Sequence, residues 1–556
     1  MDDGEKKITK TTKEIILKTK HMKQHSSLLF SIASLATLLP NVGQARDSKK
    51  PLNFIFIMSD DHTTQAIGAY GSRLAKLNPT PVIDKLAKES VVFENVYCNN
   101  SISTPSRATT VTGQYSHNNT ILTLEEKPSP EQLFLPRELK QLGYQTAVIG
   151  KWHLGCEPKE YDYYSILTGY GGQGSYFDPE FASSEVDGKE YPKNLIKYEG
   201  YSSDVVTDLT LTWLDEKRDE SKPFFLQHHY KAPHDDFEFA PRYTEYLADV
   251  DIPVPPTLLN REGFGSDATR GKDLDSTIGT SVSARHSKRS YVDMYNINTG
   301  DDEKNTIAAY NEYLKRYLRC VKGVDDNLER LFTYLKENDL WDNTVIIYSG
   351  DQGMMLGEHD LQDKRWMYEE SMRMPFIMRV PGSKANGTHN DMMISNVDFA
   401  PTILSLAGKK STPEYMDGDD FSMVFEGKQP HRWKDAVYYR YWMHLIHHDV
   451  PAHFGIRTKD YKLIFFYGRH YDNSRYGEPS MAWLKNESNK IVRTPVSFEL
   501  YDLKKDPNEE INVAKDPAYE QVLKELKKQL LETKKAVGDT DAQNPEILEI
   551  IESNFL

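Results

Sequence analysis

The 556-residue chain has little cysteine: Cys98, Cys156 and Cys320 are the only three, and none lies in a Cys-x-x-Cys spacing. This number is too small for a disulfide framework, and the spacing excludes the common zinc and redox motifs. The chain has no internal repeats and no long series of apolar segments, which excludes a multi-span membrane protein. A formal net charge of −15 disfavours a sequence-independent nucleic-acid binder. The rest of the composition is that of an ordinary globular protein, not of a disordered chain, a collagen or a coiled coil.

The first 45 residues have the layout of a secretory signal. An apolar run at 27–40 follows basic residues and precedes the small residues Gly43 and Ala45, as in a cleaved leader. Met22 would open a leader of ordinary length and is the alternative start. The alternative reading is a buried or membrane-anchoring helix, for which the run is short. We therefore expect residues 1–45 to be removed and the protein to be exported to the periplasm as a soluble monomer without a membrane span.

Four apolar runs have the length and composition of buried strands, at 52–58, 146–149, 223–226 and 344–348. Their isoleucine, valine and phenylalanine residues are not interrupted by regular polar positions, as in parallel strands buried on both faces. Between the last two runs, apolar residues recur at three- and four-residue steps over 305–340, which predicts a long amphipathic helix. Strands that alternate with helices predict an α/β fold with a large, mostly parallel sheet between helices.

The pattern changes after residue 430. Short strands and one amphipathic helix are predicted there, at 436–441, 454–457, 461–467, 497–501 and 518–535. They indicate a smaller subdomain with an antiparallel sheet. We therefore expect a catalytic domain at 46–430 and a C-terminal subdomain at 431–556 that completes the substrate pocket. The polar stretch 260–304 lacks periodicity and predicts either a lid or an insertion.

Chemically active residues follow each of the four strands of the first domain. In chain order they are Asp60 and Asp61, Lys151 and His153, His234, and Asp351 and Gln352. In open α/β sheets, ligands bind beyond the carboxyl ends of the strands. One such strand end alone would more often be a solvated loop, but four together predict one shared site.

The candidate metal ligands are Asp60, Asp61, Asp351 and Gln352, which offer oxygen atoms and neither histidine nor cysteine. Hard oxygen ligands select Ca²⁺ or Mg²⁺, whereas a zinc pair draws on histidine. Taken singly, an aspartate pair often caps a helix and an aspartate is common in turns. The metal site is therefore predicted from the set and not from any one residue.

The most specific motif is Ser-Thr-Pro-Ser-Arg at 103–107, followed by Thr112 and Gly113. Its proline predicts the first turn of a helix, whose N-terminus favours an anion, and Gly113 predicts the end of that helix. The motif resembles the signature of the formylglycine-dependent sulfatases, in their type I, serine-type branch. The Asp-Asp, Gly-Lys-x-His, Pro-His and Asp-x-Gly elements stand in that family's order, and the resemblance spans about 53–512.

The resemblance implies an alkaline-phosphatase-like sandwich and a modified nucleophile. Ser103 would be oxidised to formylglycine (3-oxoalanine) by a serine-type sulfatase-maturating enzyme. A geminal diol can attack sulfur with one hydroxyl and expel sulfate when the other is deprotonated, which an unmodified serine cannot do. One Ca²⁺ would be held by residue 103 with Asp60, Asp61, Asp351 and Gln352. Gln352 departs from the family pattern, in which asparagine or histidine is common, and it would offer its amide oxygen on a longer side chain.

The same resemblance implies roles for five further side chains. Arg107 and Lys151 would steady the formylglycine hydrate, and Lys364 would hold the sulfate. His153 fits the base that collapses the sulfated intermediate, and His234 fits the acid that protonates the leaving sugar oxygen. Structural roles are expected for the other histidines of these segments, His62, His228, His229 and His359.

In detail the chain looks like the bacterial N-acetylglucosamine-6-sulfatases, through Asp-Lys-Arg at 363–365, Tyr-Glu at 368–369 and Met-Pro at 374–375. This similarity implies hydrolysis of the 6-O-sulfate ester of N-acetylglucosamine or glucosamine in heparan-type fragments. The negative charge of the chain disfavours a groove for long polyanions and favours exo action on one terminal sugar. The expected sugar contacts are Asp360, Arg365, Trp366, His447 and His453, and His448 is expected to help His447 and His453 close the pocket.

Three alternatives stay open at the level of sequence. The first is another sugar, with iduronate-2-sulfate or galactose-6-sulfate as the ester. The second is a phosphate or phosphonate monoester hydrolase of the same superfamily, although the oxygen ligands argue against its two-zinc form. The third is a catalytically silent protein that binds sulfated glycans, which the filled catalytic positions disfavour.

Overall fold

The computed structural model describes residues 50–260, 262–270, 281–284, 290–446, 448, 450–471 and 493–555. The predicted leader at 1–45 and the predicted sugar contact His447 lie outside the described residues.

The first part of the chain forms a ten-stranded mixed sheet and a two-stranded ribbon. The strands are β1 Asn53–Ser59, β2 Val91–Tyr97, β3 Gln145–Gly150, β4 Tyr163–Leu167, β5 Glu180–Ser183, β6 Leu195–Lys197, β7 Phe224–Tyr230, β8 Thr344–Gly350, β9 Met355–Leu356, β10 Gln362–Asp363, β11 Phe376–Arg379 and β12 Thr388–Ser395. Their order in the large sheet is β12-β2-β11-β8-β1-β7-β3-β4-β5-β6, and β9 pairs with β10. The four predicted strands are β1, β3, β7 and β8, which are neighbours and mutually parallel as expected.

Helices cover both faces of this sheet. Those of seven residues or more are α1 Pro81–Lys88, α2 Ser103–Thr112, α3 Leu135–Gln141, α4 Ser202–Thr212, α5 Asp302–Glu337 and α6 Phe399–Leu406. Alternate residues of β1 enter different cores: Phe54 and Phe56 pack with α2, α3 and α6, whereas Ile55 packs with α1, α4 and α5. Both faces of the central strands are therefore buried, which explains their uninterrupted apolar sequence.

The predicted helix at 305–340 is α5, which begins a few residues earlier than expected. The carboxylate of Asp301 accepts a hydrogen bond from the Lys304 amide at 2.9 Å and so caps the first turn. Although α5 is 36 residues long, its outer face is polar. Within the described ranges, no helix has the length and apolarity needed to cross a bilayer.

The C-terminal part is a four-stranded antiparallel sheet with two helices on one face. Its elements are β13 Ala436–Tyr441, β14 His453–Thr458, β15 Tyr461–Phe466, β16 Ser497–Asp502, α7 Glu520–Ala536 and α8 Pro545–Phe555. Residues such as Phe465 face α7 and α8, whereas Phe466 and Tyr439 join the core of the large sheet. The predicted fold class is confirmed. The boundary at residue 430 stays a prediction, since the two sheets share one core.

Candidate active site

The four predicted oxygen ligands lie together at the carboxyl ends of two adjacent strands. β1 and β8 are parallel and their last residues, Ser59 and Gly350, are paired, so the residues that follow emerge side by side. The backbone N–H of Asp61 donates to Oδ1 of Asp351 at 3.0 Å. The amide Nε2 of Gln352 donates to the same Oδ1 at 2.8 Å and also to a carboxylate oxygen of Asp61. The expected cluster is therefore present and fully buried.

Ser103 begins helix α2 and faces this cluster. Its hydroxyl donates to Oδ1 of Asp60 at 3.1 Å, and the side chain is buried. The helix ends at Gly113, which has φ +68°. A Cβ at Gly113 would lie 2.9 Å from Cγ of Met416, so both the left-handed backbone and the close packing require glycine there. The helix predicted from the motif is confirmed at both ends.

Arg107 lies one turn further along α2 and joins three strand ends. Its Nε donates to Oδ2 of Asp351 at 3.1 Å, and its Nη1 donates to the carbonyl oxygen of Lys151 at 2.8 Å. Its Nη2 lies 3.4 Å from Oδ2 of Asp60. Burial raises the pKa of Asp351, but the charges of Arg107 and Lys151 outweigh this effect and hold that pKa at about 2. Asp351 is therefore a carboxylate at neutral pH.

Two buried lysines supply positive charge at the same place. Nζ of Lys151 contacts Oδ2 of Asp60 and donates to the side-chain oxygen of Gln173. Nζ of Lys364 lies 2.5 Å from Oδ2 of Asp61. Burial lowers the pKa of Lys151 well below its usual value, whereas for Lys364 the charges of Asp61 and Asp363 outweigh burial and raise the pKa. Burial also raises the pKa of Asp61, to about 7, against the charge of Lys364.

The two predicted catalytic histidines both lie beside the carboxylate cluster. The carbonyl oxygen of His153 accepts a hydrogen bond from Oγ1 of Thr104 at 3.1 Å, beside the start of α2. Nε2 of His234 lies 3.7 Å from Oδ2 of Asp61, and its Nδ1 lies 2.6 Å from Oδ1 of Asp235. Burial lowers the pKa of His153 well below its usual value and that of His234 to about 3. Both rings are therefore neutral near pH 7 before substrate binds.

The backbone of the site is unusually strained. Asp61, His153, Asp363 and Arg365 have φ values of 61°, 57°, 74° and 87°, in the left-handed region that residues other than glycine avoid. Each such residue costs about 1–3 kcal/mol and persists where its surroundings determine it fully. Asp61 is a predicted metal ligand, His153 is the predicted base, and Asp363 and Arg365 are the two neighbours of Lys364. The strain therefore coincides with the predicted chemistry.

The predicted sugar contacts lie beside Lys364, but most are engaged by protein. Nε of Arg365 donates to Oδ2 of Asp363 at 2.9 Å. The carboxylate of Asp360 accepts hydrogen bonds from the backbone N–H and the hydroxyl of Ser283, at 2.8 Å and 2.5 Å. Trp366 and His453 are buried and stack on each other, with ring centroids 6.3 Å apart. Their contact with a sugar stays a prediction, and their observed role is to join the two sheets.

Sequence reasoning did not assign several residues that the structure brings to the site. Lys231 is buried after β7, with Nζ 4.9 Å from the ring centre of Tyr176. Asp235 contacts His234, and Gln173 contacts Lys151. His448, which was expected with His447 and His453 to close the pocket, lies with its Nε2 3.4 Å from Oδ1 of Asp363. Lys231 and Asp235 follow a predicted strand and were detectable by that rule. Gln173 has no sequence pattern around it that would have indicated a place in the site.

The donor set fits a hard divalent cation. Oε1 of Gln352 is buried and accepts no hydrogen bond from any residue in the described ranges, although its amide nitrogen donates to two carboxylates. Ligand atoms of Asp60, Asp61 and His234 lie within 4.8 Å of one another. A free amide oxygen beside three carboxylates suits Ca²⁺ or Mg²⁺ better than Zn²⁺.

The mixed sheet between helices and the ligands at its strand ends define an alkaline-phosphatase-like hydrolase. The chain belongs to the sulfatase family: residues 52–409 match the family described as Sulfatase. Residues 357–477 also match a family described as N-sulphoglucosamine sulphohydrolase, C-terminal. The prediction of a sulfuric ester hydrolase is thereby confirmed.

Known relatives agree with this assignment. An N-acetylglucosamine-6-O-sulfatase of Bacteroides thetaiotaomicron is 36% identical over 556 residues, covering 94% of this chain and 93% of the relative. An N-acetylglucosamine-6-sulfatase of Capra hircus is 27% identical over 420 residues, covering 72% and 68%. A protein solved in complex with its substrate D-glucosamine-2-N,6-O-disulfate has a TM-score of 0.74 at 36% identity, covering 89% of this chain and 100% of that one. The phosphonate monoester hydrolase of Agrobacterium radiobacter shares the fold, with a TM-score of 0.62 at 20% identity, covering 88% and 96%.

Proposed function

We propose that the protein hydrolyses the 6-O-sulfate ester of N-acetylglucosamine or glucosamine at the end of heparan-type fragments. The reaction would use formylglycine formed from Ser103 and one Ca²⁺. The observation that supports this proposal most directly is the position of Ser103. It is buried at the start of α2, and its hydroxyl donates a hydrogen bond to Asp60. The identity of 36% to an N-acetylglucosamine-6-O-sulfatase over nearly the whole chain supports the choice of sugar.

Asp60, Asp61, Asp351 and Gln352 would hold the Ca²⁺ together with residue 103. When bound, the cation would supply positive charge that binds a sulfate oxygen and lowers the cost of charge on the reacting group. The free Oε1 of Gln352 and the ionised Asp351 are the features of this chain that support such a site.

Positive side chains would bind and orient the sulfate. Arg107 is fixed by Asp351 and by the carbonyl of Lys151, so it can steady residue 103 without reorganising. Lys364 would bind a sulfate oxygen, since its ammonium already lies at the edge of the carboxylate cluster. In a site that excludes water, removing one such contact raises the activation free energy by about 3–4 kcal/mol.

His153 and His234 would move protons. His153 is neutral, so its ring can accept a proton from the hydroxyl of residue 103. His234 must carry a second proton to act as an acid, because its Nδ1 lies against the carboxylate of Asp235. A bound sulfate would favour that cationic form, since a nearby negative charge raises the pKa of histidine.

Three further properties complete the proposal. The leader at 1–45 supports export to the periplasm. A serine at position 103 supports maturation by a serine-type maturase, as the family resemblance implies. We also propose that the exported enzyme acts as a monomer.

The test is sulfate release by enzyme co-expressed with a serine-type maturase. N-acetylglucosamine-6-sulfate would be compared with the 3-sulfate, galactose-6-sulfate, iduronate-2-sulfate and a phosphate monoester, each with and without a chelator. Chelator-sensitive release from N-acetylglucosamine-6-sulfate alone is expected. Preference for another sugar sulfate would refute the proposed specificity, and preference for the phosphate ester would refute sulfatase action.

A further inference from the structure

The turn that carries Asp60 and Asp61 is held by one hydroxyl from the long helix α5. The hydroxyl of Tyr317 donates to the carbonyl oxygen of Asp61 at 2.6 Å, and it accepts a hydrogen bond from the backbone N–H of Thr63 at 3.1 Å. Tyr317 is fully buried in the core between α5 and the sheet. A single buried side chain therefore joins the backbone of Asp61 to that of Thr63 across the turn.

This turn needs outside support because Asp61 has φ 61°, a left-handed backbone that is costly for a residue with a side chain. Its N–H is fixed by Oδ1 of Asp351 and its carbonyl by Tyr317. Without the hydroxyl, the Asp61 carbonyl and the Thr63 amide would both lose a buried partner. Relaxation of the turn would then rotate the Asp61 carboxylate away from the other ligands.

Tyr317 belongs to a row of tyrosines on one face of α5. Tyr310, Tyr313 and Tyr317 are spaced three and four residues apart, and all three are buried. The hydroxyl of Tyr310 donates to the carbonyl of Pro253 at 2.6 Å and accepts from Nη2 of Arg73 at 3.4 Å. That of Tyr313 donates to the carbonyl of Met355 at 2.9 Å. Of the three, Tyr317 holds the turn of the predicted metal ligands.

We propose that Tyr317 is a positioning residue for the calcium site. Its hydroxyl fixes the left-handed turn, so that the carboxylates of Asp60 and Asp61 are aligned before the cation binds. The inference rests on the proposed function, since it assumes that these carboxylates bind Ca²⁺. It adds that the affinity for the cation depends on a residue that does not touch it.

The test compares Tyr317→Phe with Tyr310→Phe in maturase-treated enzyme. The two tyrosines are matched, because each is buried on α5, donates to one carbonyl and accepts from one N–H donor. Calcium titration of chelator-stripped protein should show about tenfold weaker binding for Tyr317→Phe and wild-type binding for Tyr310→Phe. At saturating calcium, Tyr317→Phe should lower kcat and leave KM for the sugar sulfate near the wild-type value.

Equal calcium affinity in the wild type and Tyr317→Phe would overturn this inference and leave the proposed function intact. An equal loss of calcium affinity in Tyr317→Phe and Tyr310→Phe would do the same. A wild-type protein that binds no calcium would overturn the proposed metal and this inference together. If Tyr317→Phe does not fold, hydrogen exchange of the calcium-free wild type decides. A protected Thr63 amide supports a turn formed before the cation binds, and rapid exchange of that amide overturns it.

Discussion

Nε of Arg107 donates to Oδ2 of Asp351 at 3.1 Å, and this bond joins the second turn of α2 to the end of β8. The same guanidinium donates to the carbonyl of Lys151 and lies 3.4 Å from Asp60. One side chain thus connects the nucleophile's helix to three strand ends. A lysine has the charge of arginine but not its planar set of donors, so it cannot make these contacts together.

We therefore expect Arg107→Lys to lower kcat by about 100- to 1,000-fold, as for loss of a preorganised charge contact. The measurement is steady-state kinetics at saturating calcium, with circular dichroism to confirm folding. Arg137→Lys is the control, because Arg137 is exposed on α3. Activity of Arg107→Lys within a few-fold of the wild type would show that the charge alone suffices.

Gln352 is the departure from the family pattern and tests the metal assignment. Its Oε1 is a buried oxygen that accepts no hydrogen bond in the described ranges, so it is available to a cation. Gln352→Leu should weaken calcium binding by about tenfold or more, since one oxygen ligand is lost. Gln352→Asn should retain binding because the amide oxygen is kept. Calcium titration measures both, and wild-type affinity in Gln352→Leu would remove Gln352 from the ligand set.

His453 tests whether a predicted sugar contact is instead part of the core. Burial lowers its pKa to about 4, from an ordinary value of 6.5. Because the folded pKa is below the unfolded one, His453 should destabilise the native state as pH falls from 6.5 towards 4. The full effect is about 3 kcal/mol.

His453→Phe should therefore reduce the loss of stability between pH 7 and pH 4.5, measured by urea unfolding at both values. Exposed His431 provides the control variant, His431→Phe. Kinetics at pH 7 should change little if His453 serves packing. A large rise in KM for the sugar sulfate, without a change in the pH dependence of stability, would instead support the predicted contact of His453 with the sugar.

Lys462 joins the C-terminal sheet to the catalytic domain through a buried ion network. Its Nζ lies 2.9 Å from Oε1 of Glu369 and 2.6 Å from Oε1 of Glu509. Lys462→Met would leave two buried carboxylates without this partner and should cost about 3–5 kcal/mol of stability. Lys459→Met should change stability by about 0.5 kcal/mol or less, because Lys459 is exposed. If urea unfolding shows the same loss of stability for Lys462→Met and Lys459→Met, the stabilising role of the ion network is contradicted.

The sequence sufficed to predict the central sheet and the polar residues clustered at its strand ends, because both depend on local patterns. Apolar strands followed by Asp60, Lys151, His234 or Asp351 carry their own signal, and the topology of parallel strands brings their ends together. Helix α8 was missed although Ile547 and Ile551 stand at helical spacing and are buried. The apolar spacing that indicates this helix is present in the sequence and was overlooked.

Other features depend on long-range packing and could not be read from the sequence. Trp366 and His453 are far apart in the chain, and their stacking exists only because one face of the C-terminal sheet joins the catalytic core. Gln173 meets Lys151 through a glycine-containing loop without periodicity. Tyr317 is one of the buried residues of α5, and the hydrogen bonds of its hydroxyl to the Asp61 turn have no counterpart in the sequence pattern.

The most direct test of the account joins the mass of the peptide that contains residue 103 to sulfate release. Enzyme co-expressed with a serine-type maturase would be compared with enzyme made without it and with Ser103→Ala. The account predicts a peptide lighter by two hydrogen atoms, with release from N-acetylglucosamine-6-sulfate in proportion to the modified fraction. Equal release from protein whose Ser103 peptide is unmodified, or from Ser103→Ala, would contradict it.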